Sequence, residues 1–344
     1  MTAPVSPGVA DLAQTERRAA AVLAAAWPGC RLHDLRPMAG GASSLTFVTR
    51  VADGPRDHAA VKMAPPGLPP VRNRDVLRQA RVLRALERVP EVAVPVIYAE
   101  DAGDPPGVPP LFVMEYVAGE SYEPLLTTLD PGATRPADAD VVGRAESAVR
   151  MLAALHQQDA GELGLGDEPP VSLAQECAYW ARALASCTLD EQDARLEAEC
   201  RRRLERDQPA PAAPVLLHGD WRLGNMQCLG PAVHAVLDWE IWSVGDARTD
   251  LAWMMMWAST GNPGTSVRGV FMPEPAQLQA WYEAATGHPV PHLDWVQGLI
   301  RYKSAAVAAL LAKNASKRGE PGDYVERRRR SVRGTLEWAL EILP

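Results

Sequence analysis

The chain has 344 residues, enough for about two domains that each bury a core, and its apolar content of 47% is typical of a globular protein. Its 43 acidic and 35 basic residues give a net charge of -8, which provides no general attraction for nucleic acid or an anionic membrane surface. No apolar run approaches the roughly 20 residues that span a bilayer, so neither nucleic acid nor a membrane is an expected partner.

The amino terminus lacks the basic start and apolar run of an export signal, so we expect a cytoplasmic protein. The five cysteines are widely spaced and contain no CxxC pair, which predicts reduced structural thiols and neither a zinc site nor a disulfide framework. They are Cys30, Cys177, Cys187, Cys200 and Cys228.

The first third of the sequence has the alternation of a β-sheet. Gly40 and Gly41 predict a turn, and apolar side chains then alternate along residues 45–51. A second alternating stretch, residues 58–64, carries Lys62 as its lone lysine. A glycine turn therefore leads into two strands, the second of which bears a cation.

Helical spacing follows at residues 75–88, and a β-rich run then ends at Gly119. The remainder of the sequence is mainly helical in pattern. We therefore predict two lobes, with residues 1–117 forming the first and residues 118–344 the second.

The polar residues that suggest chemistry lie between two short apolar runs, residues 214–220 and 233–240. Asp220 and Asn225 are five positions apart in the loop, and Asp238 ends the second run. Phosphoryl transfer needs a group that orients the attacking hydroxyl and takes its proton, and oxygen ligands for Mg²⁺. These three side chains supply such oxygens, at the spacing of a kinase catalytic loop.

The sequence HGDWRLGN at residues 218–225, LDWE at residues 237–240, and the later Asp246 and Asp250 resemble the aminoglycoside phosphotransferase family. The branch found fused to acyl-CoA dehydrogenases is the most similar. The resemblance extends over residues 35–315 and is strongest at residues 215–257.

This resemblance implies an α+β, bilobal, protein-kinase-like fold, with a small antiparallel-sheet N-lobe that binds nucleotide and a larger, mainly helical C-lobe that binds the acceptor. It also implies a kinase that transfers the γ-phosphoryl of ATP or GTP to a hydroxyl of a small metabolite or antibiotic, with Mg²⁺. Candidate acceptors are aminoglycosides, other antibiotics, hydroxyacyl-CoA and other metabolites.

The resemblance also assigns roles at the catalytic loop. Asp220 is the expected base, and Asn225 and Asp238 the expected magnesium ligands. Arg222 is expected to clamp a phosphate or substrate, and Glu240 to support the metal ligands, with plain structural ion pairs as the alternative for both.

On the nucleotide side, the glycine turn is expected to offer backbone amides to phosphate oxygens, the lysine to contact the α and β phosphates, and a hinge strand to contact the purine through its backbone. The expected contacts are Gly40, Gly41, Ser43, Ser44, Lys62, Glu115 and Val117.

One position departs from the kinase pattern, in which a glutamate on the next helix pairs with the lysine. This chain has Gln79 after Arg78. Gln79 can hydrogen-bond the ammonium of Lys62 but cannot neutralise it. We therefore expect either a more loosely positioned lysine or another acid, such as Asp75, in place of the glutamate.

Several other polar or aromatic residues are expected to be structural. His218 should orient the loop backbone, Asp246 should cap a helix, and Asp250 should accept loop amides. His156 is expected to be an interior histidine, and residues 253–257, WMMMW, are expected to fill the core.

The last helix is basic at residues 327–330 and at Arg333. A solvated face is the simple interpretation. If this helix instead lined the acceptor cleft, it would favour an anionic acceptor, such as an acyl-CoA with a hydroxyl, over an aminoglycoside.

Two other functions remain as alternatives. Gln79 would also suit a nucleotide-binding pseudokinase that regulates a partner. His218, Asp220, Asn225 and Asp238 could together hold two metals in a phosphoesterase, although Lys62 and the glycine turn would then have no use.

Overall fold

The computed structural model describes residues 11–38, 43–123, 136–259, 261–263 and 272–344. Five strands in its first part form one antiparallel sheet in the order β1-β2-β3-β5-β4. These strands are β1 Arg31–Pro37, β2 Leu45–Ala52, β3 His58–Met63, β4 Ile97–Asp101 and β5 Leu111–Glu115.

The two faces of the sheet pack against different parts of the chain. Helix α1, Leu12–Ala26, covers the face that carries Val61 and Leu111. Helix α2, Val76–Leu86, belongs to the core on the other face, which contains Ala60 and Phe112. Because side chains alternate along a strand, Lys62 shares the face of Ala60, toward α2.

The second part of the chain is mainly helical, with two short two-stranded sheets, one of which is a hairpin. Its helices are α3 Asp138–His156, α4 Leu173–Ala185, α5 Glu191–Arg206, α6 Arg248–Ala258, α7 Pro275–Thr286, α8 Leu293–Lys317 and α9 Gly322–Ile342. Strand β6 Val215–Leu217 pairs with β9 Ser243–Gly245, and β7 Met226–Leu229 pairs with β8 Ala232–Val236.

Backbone hydrogen bonds join the hairpin β7–β8 to the segment that follows the sheet. The amide of Glu120 donates to the carbonyl of Cys228, and the amide of Cys228 donates to the carbonyl of Glu120, each over 2.9 Å. The amide of Val236 donates to the carbonyl of Ala93, also over 2.9 Å. These bonds place the hairpin directly beneath the sheet.

The predicted fold, an antiparallel sheet followed by a mainly helical part, is confirmed. The predicted lobe boundary at residue 117 falls two residues after the end of β5 and stays a prediction. Over the described ranges, no helix combines the length and apolarity needed to cross a bilayer.

Candidate active site

The loop that follows β6 is held from below by one buried carboxylate. Asp250, on α6, accepts the amide of His218 at Oδ2 over 2.7 Å and the amide of Gly219 at Oδ1 over 2.8 Å. Burial acts to raise the pKa of Asp250, but hydrogen bonding and charge from His156 and His218 outweigh it, so the pKa lies below the usual value. Asp250 therefore acts as the expected acceptor for loop amides.

Gly219 is required by the turn itself. Its φ of +87° lies in the left-handed region, and a Cβ there would approach the carbonyl oxygen of Ile241 to 2.7 Å. The segment from residue 218 to residue 220 can therefore turn sharply beneath the sheet only with glycine at its centre.

His218 is fully buried and uses both ring nitrogens on the backbone. Its Nδ1 accepts the amide of Asp220 over 3.1 Å, so Nε2 carries the proton and donates to the carbonyl of Leu237 over 2.9 Å. His218 therefore ties the loop to the end of β8, in agreement with its expected structural role.

The carboxylate of Asp220 is oriented by three side chains. Asn225 donates from Nδ2 to Oδ2 over 2.8 Å, and Arg222 donates from Nε to both oxygens over 3.1 and 3.2 Å. Trp253 donates from Nε1 to Oδ1 over 2.6 Å. The carboxylate thus has a defined direction on a half-buried loop.

The contact to Trp253 corrects the expectation that this residue only fills the core. Met254, Met255 and Met256 are buried as expected, and Trp253 is also buried, but its indole N–H reaches the loop. An apolar sequence pattern gives no sign of such a hydrogen-bond donor. The one available signal was that the residue is tryptophan, which has an N–H, rather than phenylalanine, which has none.

Arg222 lies between two carboxylates. Besides its contact to Asp220, its Nη1 lies 3.5 Å from Oε2 of Glu123, which also accepts the amide of Gly224 over 3.1 Å. Burial raises the pKa of Glu123 to about 7, although the Arg222 charge and the Gly224 amide lower it. Arg222 therefore forms ion pairs, which was one of the two alternatives expected from the sequence. Its guanidinium also lies over the ring of Trp257, 5.3 Å from the ring centre.

Asn225 and Asp238 meet at the open end of the β7–β8 hairpin. The amide of Leu237 donates to the carbonyl of Asn225 over 2.7 Å, which puts Asp238 beside Asn225. Asp238 adopts φ 64° and ψ 52°, an uncommon left-handed conformation for a residue with a side chain. This conformation ends the strand and turns the carboxylate toward the sheet.

These two residues fit a magnesium site. Both side-chain hydrogen bonds of Asn225 use Nδ2, which leaves its oxygen Oδ1, and Asp238 adds a carboxylate. Hard oxygen donors of this kind suit Mg²⁺, which typically takes one or two protein oxygens and completes its shell with water and phosphate.

Lys62 reaches from β3 to this point. Its Nζ donates to Oδ1 of Asp238 over 3.0 Å, and the lysine is buried. Another acid thus pairs with the lysine, as one alternative expected, but it is Asp238 and not Asp75. Gln79 donates to the carbonyl of Asn73 over 3.4 Å, and Asp75 caps α2 by accepting the amide of Arg78.

The residues after the glycine turn contact the short segment that follows Asp238. Ser43 donates to Oε1 of Glu240 over 3.0 Å and accepts from Asn73 over 2.7 Å, while Ser44 Oγ is buried without a partner in the ranges described. Burial, with the charge of Asp238, raises the pKa of Glu240 to about 7. Gly40 and Gly41 lie outside the described residues.

The predicted hinge follows β5. The amide of Glu115 donates to the carbonyl of Val96 over 2.8 Å, so of its backbone polar groups only the carbonyl can serve a ligand. Val117 lies in the extended segment between β5 and Gly119. Purine contact by Glu115 and Val117 stays a prediction.

The basic segment of α9 does not line the catalytic loop. Arg333 pairs with Asp190 and Asp193, and it lines a separate cavity of about 850 Å³ together with Arg329 and Arg330. Asp220, Asn225 and Asp238 are not among the lining residues of that cavity. The conditional inference from this segment to an anionic acceptor is therefore not supported.

Hydrogen bonds thus join Trp253, Asp220 and Asn225, and the bond from the Leu237 amide to Asn225 sets the ion pair of Asp238 and Lys62 beside them. This site, between an antiparallel sheet and a mainly helical part, is typical of the protein-kinase-like fold. The profile of the phosphotransferase enzyme family matches residues 34–299, and the chain belongs to that family.

Solved structures share this fold. A protein from Ralstonia eutropha JMP134 that is described as an aminoglycoside phosphotransferase has a TM-score of 0.71 and 22% identity. The match covers 90% of this chain and 93% of that protein's chain. Macrolide 2'-phosphotransferase MphH from Brachybacterium faecium has a TM-score of 0.61 and 20% identity, covering 93% and 97%. At these identities the likeness establishes the fold.

A plant protein is similar in sequence. The protein described as probable acyl-CoA dehydrogenase IBR3 from Arabidopsis thaliana is 25% identical over 280 residues, which are 74% of this chain. The chain spans 33% of the length of that relative.

Proposed function

We propose that this phosphotransferase is a small-molecule kinase that transfers the γ-phosphoryl group of ATP or GTP to a hydroxyl group, with Mg²⁺. The observation that carries the proposal is that the hydrogen bond of Asn225 to Asp220 and the ion pair of Lys62 with Asp238 lie side by side, because the amide of Leu237 donates to the carbonyl of Asn225. This arrangement brings a candidate base, two oxygen donors and a cation into one place beneath the sheet.

In the proposed reaction, Asp220 accepts a hydrogen bond from the acceptor hydroxyl and takes its proton. The acceptor oxygen forms a bond to the γ-phosphorus, the bond from that phosphorus to the bridging oxygen breaks, and nucleoside diphosphate leaves. Trp253 and Asn225 hold one carboxylate oxygen each, which orients the base before the acceptor arrives.

Lys62 would exchange its contact with Asp238 for the phosphates of the nucleotide, which frees the Asp238 carboxylate for the metal. Asn225 and Asp238 would hold Mg²⁺, and when bound this ion neutralises charge on the phosphate oxygens. Residues 1–117 would carry the nucleotide, through Gly40, Gly41, Ser43, Ser44, Lys62, Glu115 and Val117, and residues 118–344 the acceptor.

A neighbour in fold supports the nucleotide part of the proposal. The structure of the GDP and kanamycin complex of APH(2")-IIia has a TM-score of 0.65 and 12% identity, and covers 93% of this chain. The name of the plant relative adds hydroxylated acyl-CoA to the acceptors worth testing beside aminoglycosides and macrolides.

The geometry counts against a two-metal phosphoesterase. Both nitrogens of His218 are used by the backbone, so this ring has no lone pair for a metal. Within the ranges described, no three His, Cys, Asp or Glu side chains are grouped to hold an ion. The case for a pseudokinase also weakens, because Lys62 has a carboxylate partner despite Gln79.

The variant Asp220→Asn tests the proposal. We expect it to lose acceptor-dependent nucleotide consumption by at least about 100-fold and to bind nucleotide as the wild type does, because the loss concerns proton transfer. Binding without acceptor-dependent turnover by the wild type, over a panel of aminoglycosides, macrolides and hydroxylated metabolites, would favour a pseudokinase. Phosphate release from simple esters without nucleotide would favour a phosphoesterase.

A further inference from the structure

Lys303 is a cation that lies against the ring of Trp253, the tryptophan that orients Asp220. Lys303 is in the middle of α8, and its Nζ lies 4.8 Å from the centre of the Trp253 ring and 5.5 Å from that of Trp180. The residue is half-buried. The ammonium is thus one indole ring and one hydrogen bond away from the proposed base.

Within the described part of the chain, Lys303 has no carboxylate partner. It forms no ion pair or hydrogen bond with any residue that the structure describes. The two indoles that it contacts each donate to an acid: Trp253 to Asp220, and Trp180 to Oε2 of Glu176 over 2.6 Å. Cation–π contacts hold the ammonium in place but do not neutralise its charge.

The neighbouring tryptophan on α6, Trp257, contacts a different cation, Arg222. The Arg222 guanidinium lies over the Trp257 ring, and the rings of Trp257 and Trp253 are 6.4 Å apart. Arg222 is balanced by Asp220 and by the largely buried Glu123. Lys303, by contrast, pairs with no acid among the residues that the structure describes, so its ammonium offers a positive charge beside the base.

We propose that Lys303 binds an anionic group of the acceptor, a carboxylate or a phosphate, and so places the acceptor hydroxyl at Asp220. This inference rests on the proposed kinase function. The indole of Trp253 serves both groups: its face positions the ammonium and its N–H positions the base, so the anion and the hydroxyl of the acceptor bind at a set separation. A polycationic aminoglycoside would meet repulsion at the same place.

The test compares Lys303→Met with Lys313→Met. Methionine keeps the apolar stem of lysine and removes the charge. Lys313 lies on the same helix and is also half-buried, but its Nζ donates to the carbonyl of Ser186, away from the loop, over 2.6 Å. Each protein is assayed with ATP and GTP against three matched series of hydroxylated compounds of increasing length: hydroxy acids and hydroxyalkyl phosphates, their neutral amides, and amino alcohols.

We expect the acids or phosphates to stimulate nucleotide consumption by the wild type, and Lys303→Met to raise their KM about tenfold or more, with kcat and nucleotide affinity little changed. Lys313→Met should behave as the wild type. Lys303→Glu should move the preference toward amino alcohols. The relative stimulation by carboxylates and phosphates identifies which anion is bound.

Several outcomes would overturn the inference. These are stimulation by neutral or cationic compounds only, stimulation by no member of any series in a protein that binds nucleotide and hydrolyses it slowly in an Asp220-dependent manner, or an unchanged KM in Lys303→Met. A wild type that neither binds nor hydrolyses nucleotide would instead reject the kinase function itself.

Discussion

The indole N–H of Trp253 donates to Oδ1 of Asp220 over 2.6 Å, so the apolar part of α6 contacts the catalytic loop in addition to Asp250. This hydrogen bond joins an uncharged donor to a carboxylate, and bonds to charged groups are stronger than neutral ones. It leaves the second oxygen of Asp220 to Asn225, and so fixes the plane of the carboxylate.

Removal of this donor should impair turnover. In Trp253→Phe the aromatic ring remains but the N–H is lost, at a cost of about 1.5 to 3 kcal/mol for a hydrogen bond to a charged group. If the bond is fully used in the transition state, kcat falls about 10- to 100-fold, with nucleotide affinity unchanged. Steady-state kinetics and nucleotide titration would measure both.

Trp257→Phe provides the matched control. It is the same substitution on the same helix, and the Trp257 N–H has no hydrogen-bond partner in the described part of the chain. We expect kcat to be preserved there. An equal loss in the two variants would show that ring packing, not the hydrogen bond, controls turnover.

Asp238→Asn should weaken metal binding. The substitution keeps the shape of the side chain, and Asn also tolerates the left-handed conformation at this position. With one negative charge fewer, we expect the Mg²⁺ concentration for half-maximal activity to rise about tenfold or more. Asp75→Asn, which retains a good helix cap on α2, should leave it unchanged. An unaltered Mg²⁺ dependence in Asp238→Asn would remove this residue from the metal site.

Asp250→Asn should destabilise the protein. The carboxylate accepts two backbone amides, whereas an asparagine has one acceptor oxygen and turns an N–H toward the other amide. We expect a loss of about 2 to 4 kcal/mol in the free energy of unfolding, measured by urea denaturation. Asp11→Asn, at the exposed cap of α1, should change it by less than about 0.5 kcal/mol. A similar small change in Asp250→Asn would mean that the loop amides are satisfied in another way.

Glu123→Gln should alter the pH dependence of stability. Burial raises the pKa of Glu123 from 4.5 to about 7, so between these values the unfolded chain is ionised while the folded chain keeps its proton. The wild type therefore loses stability as pH rises through this window. The variant has no such loss, and its free energy of unfolding relative to wild type should rise by about 2 to 3 kcal/mol from pH 4.5 to above 7. A relative stability that is constant, or that falls with pH, would contradict the raised pKa.

Much of the site followed from local sequence. The spacing of Asp220 and Asn225 placed both in one loop, and Asp238 was expected at the end of a strand. The two apolar runs do not pair with each other as predicted: β6 pairs with β9, and the hairpin β7–β8 brings Asp238 beside Asn225. Gly219 belongs to the same short range, since its left-handed turn depends on its own backbone. The alternation of β3 likewise placed Lys62 on one face of the sheet.

Contacts between distant elements could not be predicted in this way. The partner of Lys62 was expected on the next helix, yet it lies 176 positions away at Asp238. The core expectation for Trp253 missed a contact across 33 positions, and no pattern singled out Lys303. Periodicity shows which face of an element is buried, but not which polar atom of another element lies opposite.

Local patterns of a few residues thus determined the order of strands, loop and helix and the chemistry of the loop, because turns and strands depend on neighbouring side chains. The packing of α6 against the loop, and of α8 against α6, decided which groups orient Asp220 and which cation lies against Trp253 with no acid partner in the described residues. Those contacts arise only when buried surfaces from distant parts of the chain close on one another.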